Sequence, residues 1–501
     1  MDVRTACQAF EDVRHLRVNA AHLATSNAGG LDFERCSALH NAVYAHAWVA
    51  SGHAPSDLPR TTWWQANVAS VDIIEPRLDV SVVEFLKSAW VVQPYPNSIQ
   101  RWDLTYQCYD LMWPEGLFEY WEDGQVDLVT LYATHPEGTK DEFVDGIVYN
   151  QDTHTAVFNP YTPMDLTPDL TQKPWRSLEA ILSVWIDMIE QGKTVALHHS
   201  VEIPPPVFDV PQPDGSILHV PAYVPAGPLR DPVTNVQKLG TIFEPWVMVP
   251  YTELDLEQTL KAWSDLLQAI EDHLPPGERH DSISHGLFDA GMLQQANIRQ
   301  DSFAWKFFLR ARKPRTRYQG PALQLPSAQQ LTSDMLSDPT GDAAPVKPIP
   351  ILIGRTNVHT PWIRWQVPLE PDPLIPWGLY LDACDPGGLT PFEDGIRLVL
   401  PYQIGGNGHV RMSDGSTSNS RQDLYQIGWN PFGYLHPIQL EAVFTVFRQY
   451  VQSGVWTVGS MGISESEDAF KTADTDISAF PTLDESPHPG FRINIGPGSL
   501  F

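Results

Sequence analysis

Proline occurs 45 times in this 501-residue chain, about twice the usual share. That abundance constrains the fold more than any other feature. Each proline removes a backbone donor and fixes φ, so the chain needs many rigid, irregular connections between short elements. Hydrophobic residues make up 42% of the chain, with 17 Trp, 16 Tyr and 20 Phe. That is ample apolar surface for packed cores and excludes global disorder. The length exceeds one ordinary core. The expected class is α+β: helices mixed with antiparallel strands and hairpins, joined by long Pro-rich loops, in two or three subdomains.

The formal net charge is −29. The positive field that draws in nucleic acid is therefore missing over the chain as a whole, and an anionic membrane surface repels it. No run of roughly 18 apolar residues offers a membrane span. The opening residues MDVRTACQAFEDVRHLRV are charged and helical, not the apolar core of a signal peptide. Cys7, Cys36, Cys108 and Cys384 lie far apart and form no CxxC pair, so neither a zinc ribbon nor a redox motif is expected. Reduced, partly buried thiols and a cytoplasmic setting follow, with no metal and no cofactor.

Hydrophobic spacing places the elements. Residues 1–52 predict two helices broken at Gly29–Gly30, and residues 63–160 turn to strand character. Asp123-Gly124 suits a hairpin turn, and Gln151-Asp152-Thr153 suits a second. The clearest helix spans 174–191, with Leu178, Ile181, Leu182, Trp185 and Ile189 on one face and Gly192 closing it before a strand. A similar unit recurs at Pro437, where Leu440, Val443, Phe444, Phe447 and Val451 share a face, Gly454 closes the helix, and Val455–Val458 reads as a strand. The two units hint at related halves, although helix–Gly–strand is a common arrangement. A third helix is expected from Asp255 to His273, opened by Asp255 and Gln258 as a capping box. Pro213-Asp214-Gly215 reads as a turn between two extended arms. The resulting segments are 1–170, 171–318, a linker-like loop at 319–350, and 351–501 with an acidic tail.

Two stretches carry candidate chemistry. From Phe303 to Tyr318, Lys306, Arg310, Arg312, Lys313, Arg315 and Arg317 interleave with Phe303, Trp305 and Phe307. As a strand, this would set aromatics on one face and cations on the other, as in single-strand nucleic-acid grooves; the alternative is internal pairing with the chain's many carboxylates. The second stretch gathers Asp382, Asp385, Glu393, Asp394, Arg397, His409, Arg411 and Asp414. Were this an enzyme, Asp394, Arg397, His409 and Arg411 would be the catalytic candidates. Gly405-Gly406-Asn407-Gly408 reads as a turn between strands, because the Lys-Ser/Thr and helix start of a phosphate loop are absent. His198 and His199 are adjacent on an expected strand and point to opposite faces. Glu119, Glu122, Asp123 and Asp127 cluster at the first hairpin, where solvation is the plain reading.

The stretches KPWRSLEAILSVWIDMIEQGK, FEPWVMVPYTELDLEQTLKAWSDLLQAIE, DGIRLVLPYQIGGNGHVRMSDG and WNPFGYLHPIQLEAVFTVFRQYVQSG resemble segments of intracellular proteins of filamentous fungi that carry no assigned role. The resemblance spans roughly the last two-thirds of the chain. It implies a fungal cell as the setting, and nothing about reaction or ligand.

Three functions fit. The first is a non-enzymatic structural protein that assembles with copies of itself, as a capsid-like shell in a fungal host, with the 303–318 segment facing RNA. The second is a cytosolic enzyme of unfamiliar reaction with its site near Asp382–Asp414. The third is a monomeric binding module for a protein or small molecule.

Overall fold

The computed structural model describes residues 3–19, 22–24, 29–91, 103–105, 108–118, 127–133, 146–159, 175–196, 207–211, 217–221, 245–275, 284–332, 348–361, 374–381, 392–410, 420–425 and 438–475. It confirms a mixed α+β chain whose strand pairings are almost all antiparallel. The described residues fall into two compact units that divide between Val249 and Pro250. That division lies inside the 171–318 segment marked out from sequence.

The first unit runs α1 (Val3–Asp12), α2 (Phe33–Ala50), α3 (Trp63–Ala66), α4 (Val71–Ile74), α5 (Val80–Ser88), β1 (Asp110–Leu111), β2 (Leu128–Ala133), β3 (Gly146–Asn150), β4 (Thr155–Asn159), α6 (Leu178–Glu190), β5 (Thr194–Ala196), β6 (Val207–Pro211), β7 (Ile217–Pro221) and β8 (Trp246–Met248). Asp32 starts α2 by accepting the Arg35 N–H. Nearly every side of α2 is buried, Leu39, Val43, Tyr44 and Ala47 included, as a helix wrapped by its own unit must be. Helix α6 is likewise buried at every position but Asp187 and Glu190. The sheet order is β1-β2-β3-β4, and β2 is buried along its whole length. Two further antiparallel pairs are β5 with β8, and β6 with β7, the arms flanking Pro213-Asp214-Gly215. The hairpin β3–β4 turns at Gln151–His154, where the Asn150 side chain accepts the N–H groups of Asp152 and Thr153, both at 2.9 Å.

The structure corrects the strand reading of residues 63–160. Helices α3 to α5 occupy the stretch as far as Ser88, and among the described residues the first strand begins at Asp110. Val80, Val82 and Val83 favour strands by propensity, but the Asp79 side chain caps α5 on the Ser81 N–H, and Val82, Val83, Phe85 and Leu86 bury one helical face.

The second unit runs α7 (Glu253–Asp272), α8 (Ala290–Gln295), α9 (Phe303–Arg310), β9 (Tyr318–Gly320), β10 (Leu323–Gln324), α10 (Ala328–Leu331), β11 (Ile349–Gly354), β12 (His359–Pro361), β13 (Leu374–Pro376), β14 (Gly378–Leu381), β15 (Ile396–Val399), β16 (Asp423–Leu424), α11 (Leu440–Gln452), β17 (Val458–Gly459) and β18 (Gly462–Ile463), then a 3-10 turn over Glu467–Asp474. Eight strands form one sheet in the order β16-β15-β14-β11-β10-β9-β18-β17. Leu352, Leu379, Leu398 and Leu424 face one another across four strands and join one apolar core with Trp263, Phe444 and Phe447. Each such side chain contributes about 1.5–3 kcal/mol by leaving water. The alternate positions Ile353, Tyr380 and Val399 form a smaller apolar cluster on the other face. The capping box of α7 is Thr252 with Asp255, three residues ahead of the expected one. The linker-like stretch 319–350 opens with the β9–β10 hairpin and α10; its residues 333–347 lie outside the described set.

The 303–318 segment is also corrected. Phe303–Arg310 is helical, and Ser302 caps it by accepting the Trp305 N–H. Strand begins only at Tyr318.

Candidate functional site

Three of the four catalytic candidates lie among the described residues, and they serve separate structural tasks. Asp394 is buried beside the start of α11, where its carboxylate accepts from the Gln439 side chain at 2.8 Å and its carbonyl accepts the Leu440 N–H at 3.0 Å. That arrangement fixes where the helix leaves the sheet. Arg397 lies on the sheet face opposite Trp263 and donates to Asp423 at 2.9 Å; both side chains are buried. His409 lies on a loop whose Gly405, Asn407 and His409 N–H groups converge on the Asp474 carboxylate at 3.1, 3.1 and 3.4 Å. Gly405 and Gly408, at φ +90° and +75°, supply the left-handed backbone this concavity needs. Arg411 lies outside the described residues, as do Asp382, Asp385 and Asp414. The neighbouring Glu393 is held by the Arg299 guanidinium and the Phe303 N–H, each at 2.7 Å, at the positive end of α9. Burial raises its pKa, against the pull of Arg299.

The basic segment is largely spent inside its own unit. Lys306 and Arg310 bond Glu253, and Arg310 also bonds Glu257, tying α9 to the start of α7. Arg312 and Arg315 share Glu271 at 2.6 and 3.3 Å, with Arg312 buried. Arg317 bonds Gln324 at 2.7 Å, and Lys313 is exposed. Lys306, Arg310, Arg312 and Arg315 thus meet carboxylates of α7 instead of being spread along a strand face.

Sequence reasoning passed over a buried polar set in the first unit. The His40 ring sits between the Trp90 carbonyl, at 2.7 Å from Nε2, and the Tyr132 hydroxyl, at 3.1 Å from Nδ1. A carbonyl cannot donate, so Nε2 carries the proton and Nδ1 accepts from Tyr132. Burial lowers the His40 pKa to about 4, which keeps the ring neutral. One turn earlier, the Cys36 thiol points at the Glu179 carboxylate at 3.8 Å. Burial, then Glu179, push that thiol's pKa well up, so it stays protonated and a poor nucleophile. A second clamp joins Arg17 to Glu190 through paired contacts of 2.5 and 2.7 Å and to Asp187 at 3.3 Å. Burial and the adjacent Glu190 raise the Asp187 pKa to about 6. The only sequence signal for the first set was the four-residue spacing of Cys36 and His40 on an apolar helix face.

His198 and His199, and Glu119, Glu122 and Asp123, lie outside the described residues. Among the described residues, no three His, Cys, Asp or Glu side chains come together as metal ligands, and no helix is long and apolar enough to cross a membrane. No protein-family profile matches the chain. No curated protein and no solved structure matches it either.

Proposed function

We propose that this is a non-enzymatic structural protein that assembles with copies of itself. The observation that carries the reading is where its charged candidates are spent. Asp394, Arg397 and Arg312 are buried in bonds that join secondary-structure elements, and the backbone at His409 cradles Asp474. Groups locked in this way fix architecture and are poorly placed to meet a substrate. Apolar side chains on the outside support the same reading: Val68, Ile73 and Val80 of the first unit are 70%, 78% and 75% exposed, and Leu374 of the second is 58% exposed. Covering such surface releases roughly 25 cal/mol per Å². In a shell around RNA, Lys313 and Arg317 are the cations of the basic segment outside its carboxylate pairs.

Size-exclusion chromatography with light scattering, followed by electron microscopy, tests the proposal. The expected result at micromolar concentration is a defined multiple of the chain mass with regular particles. A clean monomer over that range refutes self-assembly and favours a monomeric binding module.

A further inference from the structure

We infer that the chain is an internal duplication: the stretch from Asp32 to Ala196 and the stretch from Asp255 to Gly459 are two copies of one structural repeat. This does not depend on self-assembly. It rests on backbone hydrogen bonds that recur at matching places in each unit.

Each copy opens with a long buried helix. In α2 the buried residues Leu39, His40, Val43, Tyr44 and Ala47 have the spacing of Ala262, Trp263, Leu266, Leu267 and Ile270 in α7. After α3 and α4 in one copy and α8 in the other comes a short helix with the same exit. Helix α5 is capped at Ala89, whose N–H bonds the Phe85 carbonyl at 2.8 Å; α9 is capped at Ala311, whose N–H bonds the Phe307 carbonyl at 2.8 Å. Both alanines then turn to extended backbone and pair with an earlier segment of their own copy. Trp63 N–H meets the Ala89 carbonyl and Val91 N–H the Thr61 carbonyl; Gly286 N–H meets the Ala311 carbonyl and Lys313 N–H the Ser284 carbonyl. Between these bonds lies one more carbonyl, and the long helix reaches it with a ring N–H in both copies. His40 Nε2 bonds Trp90 O at 2.7 Å, and Trp263 Nε1 bonds Arg312 O at 2.7 Å.

The sheets repeat as well. The register of β2 against β3 slips between Thr130 and Tyr132, and that of β11 against β14 slips between Pro350 and Leu352. Both partner strands begin with glycine at the slip. A Cβ on Gly146 would lie 1.9 Å from the Tyr132 carbonyl oxygen, and one on Gly378 would lie 2.4 Å from that of Leu352. No other residue fits such an approach. The strand paired to that glycine strand, β4 or β15, then receives the entry to the last helix: Ala156 N–H bonds Arg176 O, and Ile396 N–H bonds Ile438 O. Two residues later both helices begin Leu-Glu-Ala, at Leu178 and Leu440, and both close on a left-handed glycine, Gly192 at φ +76° and Gly454 at φ +74°.

The pairing separates what the fold needs from what was added. Cys36, His40 and Tyr132 of the first copy stand where the second has Thr259, Trp263 and Leu352, so one structural position is filled by titratable groups in one copy and inert ones in the other. The connection after β4 and after β15 also differs. It takes residues 160–177 in the first copy and 400–439 in the second, and His409, Arg411 and Asp414 fall in the longer one.

Reciprocal exchange in the full-length protein tests the inference. His40→Trp with Tyr132→Leu gives the first copy the second copy's pair; Trp263→His with Leu352→Tyr does the converse. Each is compared by thermal unfolding with a double alanine control at the same positions. At least one exchange should melt within ~5 °C of the native chain and well above its control. If neither exceeds its control, the positions are not equivalent and the duplication is wrong. Hydrogen exchange on the unmodified chain adds a readout free of packing artefacts. The Ala89 and Val91 amides should be protected as the Ala311 and Lys313 amides are, and protection of one pair with free exchange of the other overturns the inference.

Discussion

Acidification should charge His40, and the cost can be worked from its surroundings. The ring is buried between the Trp90 carbonyl and the Tyr132 hydroxyl, and its pKa falls to about 4 against about 6.5 in an unfolded chain. Its folded pKa is the lower one, so the neutral ring contributes its full stability above the unfolded value, and that stability drains away as pH falls from 6.5 towards 4. At about 1.4 kcal/mol per unit, the loss is roughly 2 kcal/mol by pH 5 and about 3 kcal/mol by pH 4. Asp187 works in the opposite sense over part of this window, because its raised pKa of about 6 favours the folded state as protons bind. The native curve alone would hide the effect. The measurement is therefore a difference: urea unfolding followed by tryptophan fluorescence, at steps from about pH 7.5 to 4.5, for the native chain and for His40→Trp/Tyr132→Leu. The gap between the two should shift in favour of the variant by roughly 2 kcal/mol on reaching pH 5. A gap that stays constant across the window would show that His40 titrates normally and that the buried, neutral ring described above is mistaken.

Other perturbations have equally definite outcomes. Gly146→Ala should destabilise the first unit by about 3 kcal/mol or more, because φ is +132° and the new methyl meets a carbonyl; Gly378→Ala should do likewise, though less, in the second unit, as read by local hydrogen exchange. Arg397→Met alone strands the buried Asp423 carboxylate and should cost about 3–5 kcal/mol in urea unfolding, whereas Arg397→Met with Asp423→Leu should recover most of it. Asp187→Asn removes a carboxylate whose ionisation the folded state resists, so it should raise stability by about 1 kcal/mol above pH 6 and have no effect below about pH 4. Lys306→Gln should change stability by less than about 1 kcal/mol, since its partner Glu253 is a surface residue, and raised salt should erase even that.

Long amphipathic helices were the legible part of the sequence. Helices α6, α7 and α11 lie where apolar residues recur at three and four, and Gly192 and Gly454 end α6 and α11 as their positions imply. Short elements were not legible from periodicity alone. In Phe303–Arg310 the aromatics at 303, 305 and 307 alternate as in a strand, yet 303, 304, 307 and 308 bury one side of a helix. Eight residues satisfy both patterns, and the decisive signal was Ser302 as cap. Valines hid α5 in the same way, and Asp79 was the missed sign. The candidate cluster at 382–414 was drawn together by closeness along the chain, but Asp394 and Arg397 turn to different structural partners. In the sequence, the duplication showed only as the two helix–Gly–strand units that close at Gly192 and Gly454. The remaining correspondences live in backbone hydrogen bonds, which side-chain identity does not record.

The Asp474 carboxylate sits where a free anion would otherwise be drawn, in the ring of amides from Gly405 to His409, and Tyr402 holds the Glu467 carbonyl just upstream. The chain thus carries its own counterion and uses it as a fastener. Removing residues from Glu467 onward would leave those amides seeking water or dissolved phosphate. A trimmed protein should therefore differ from the whole one first at the loop after β15, far along the sequence from the cut.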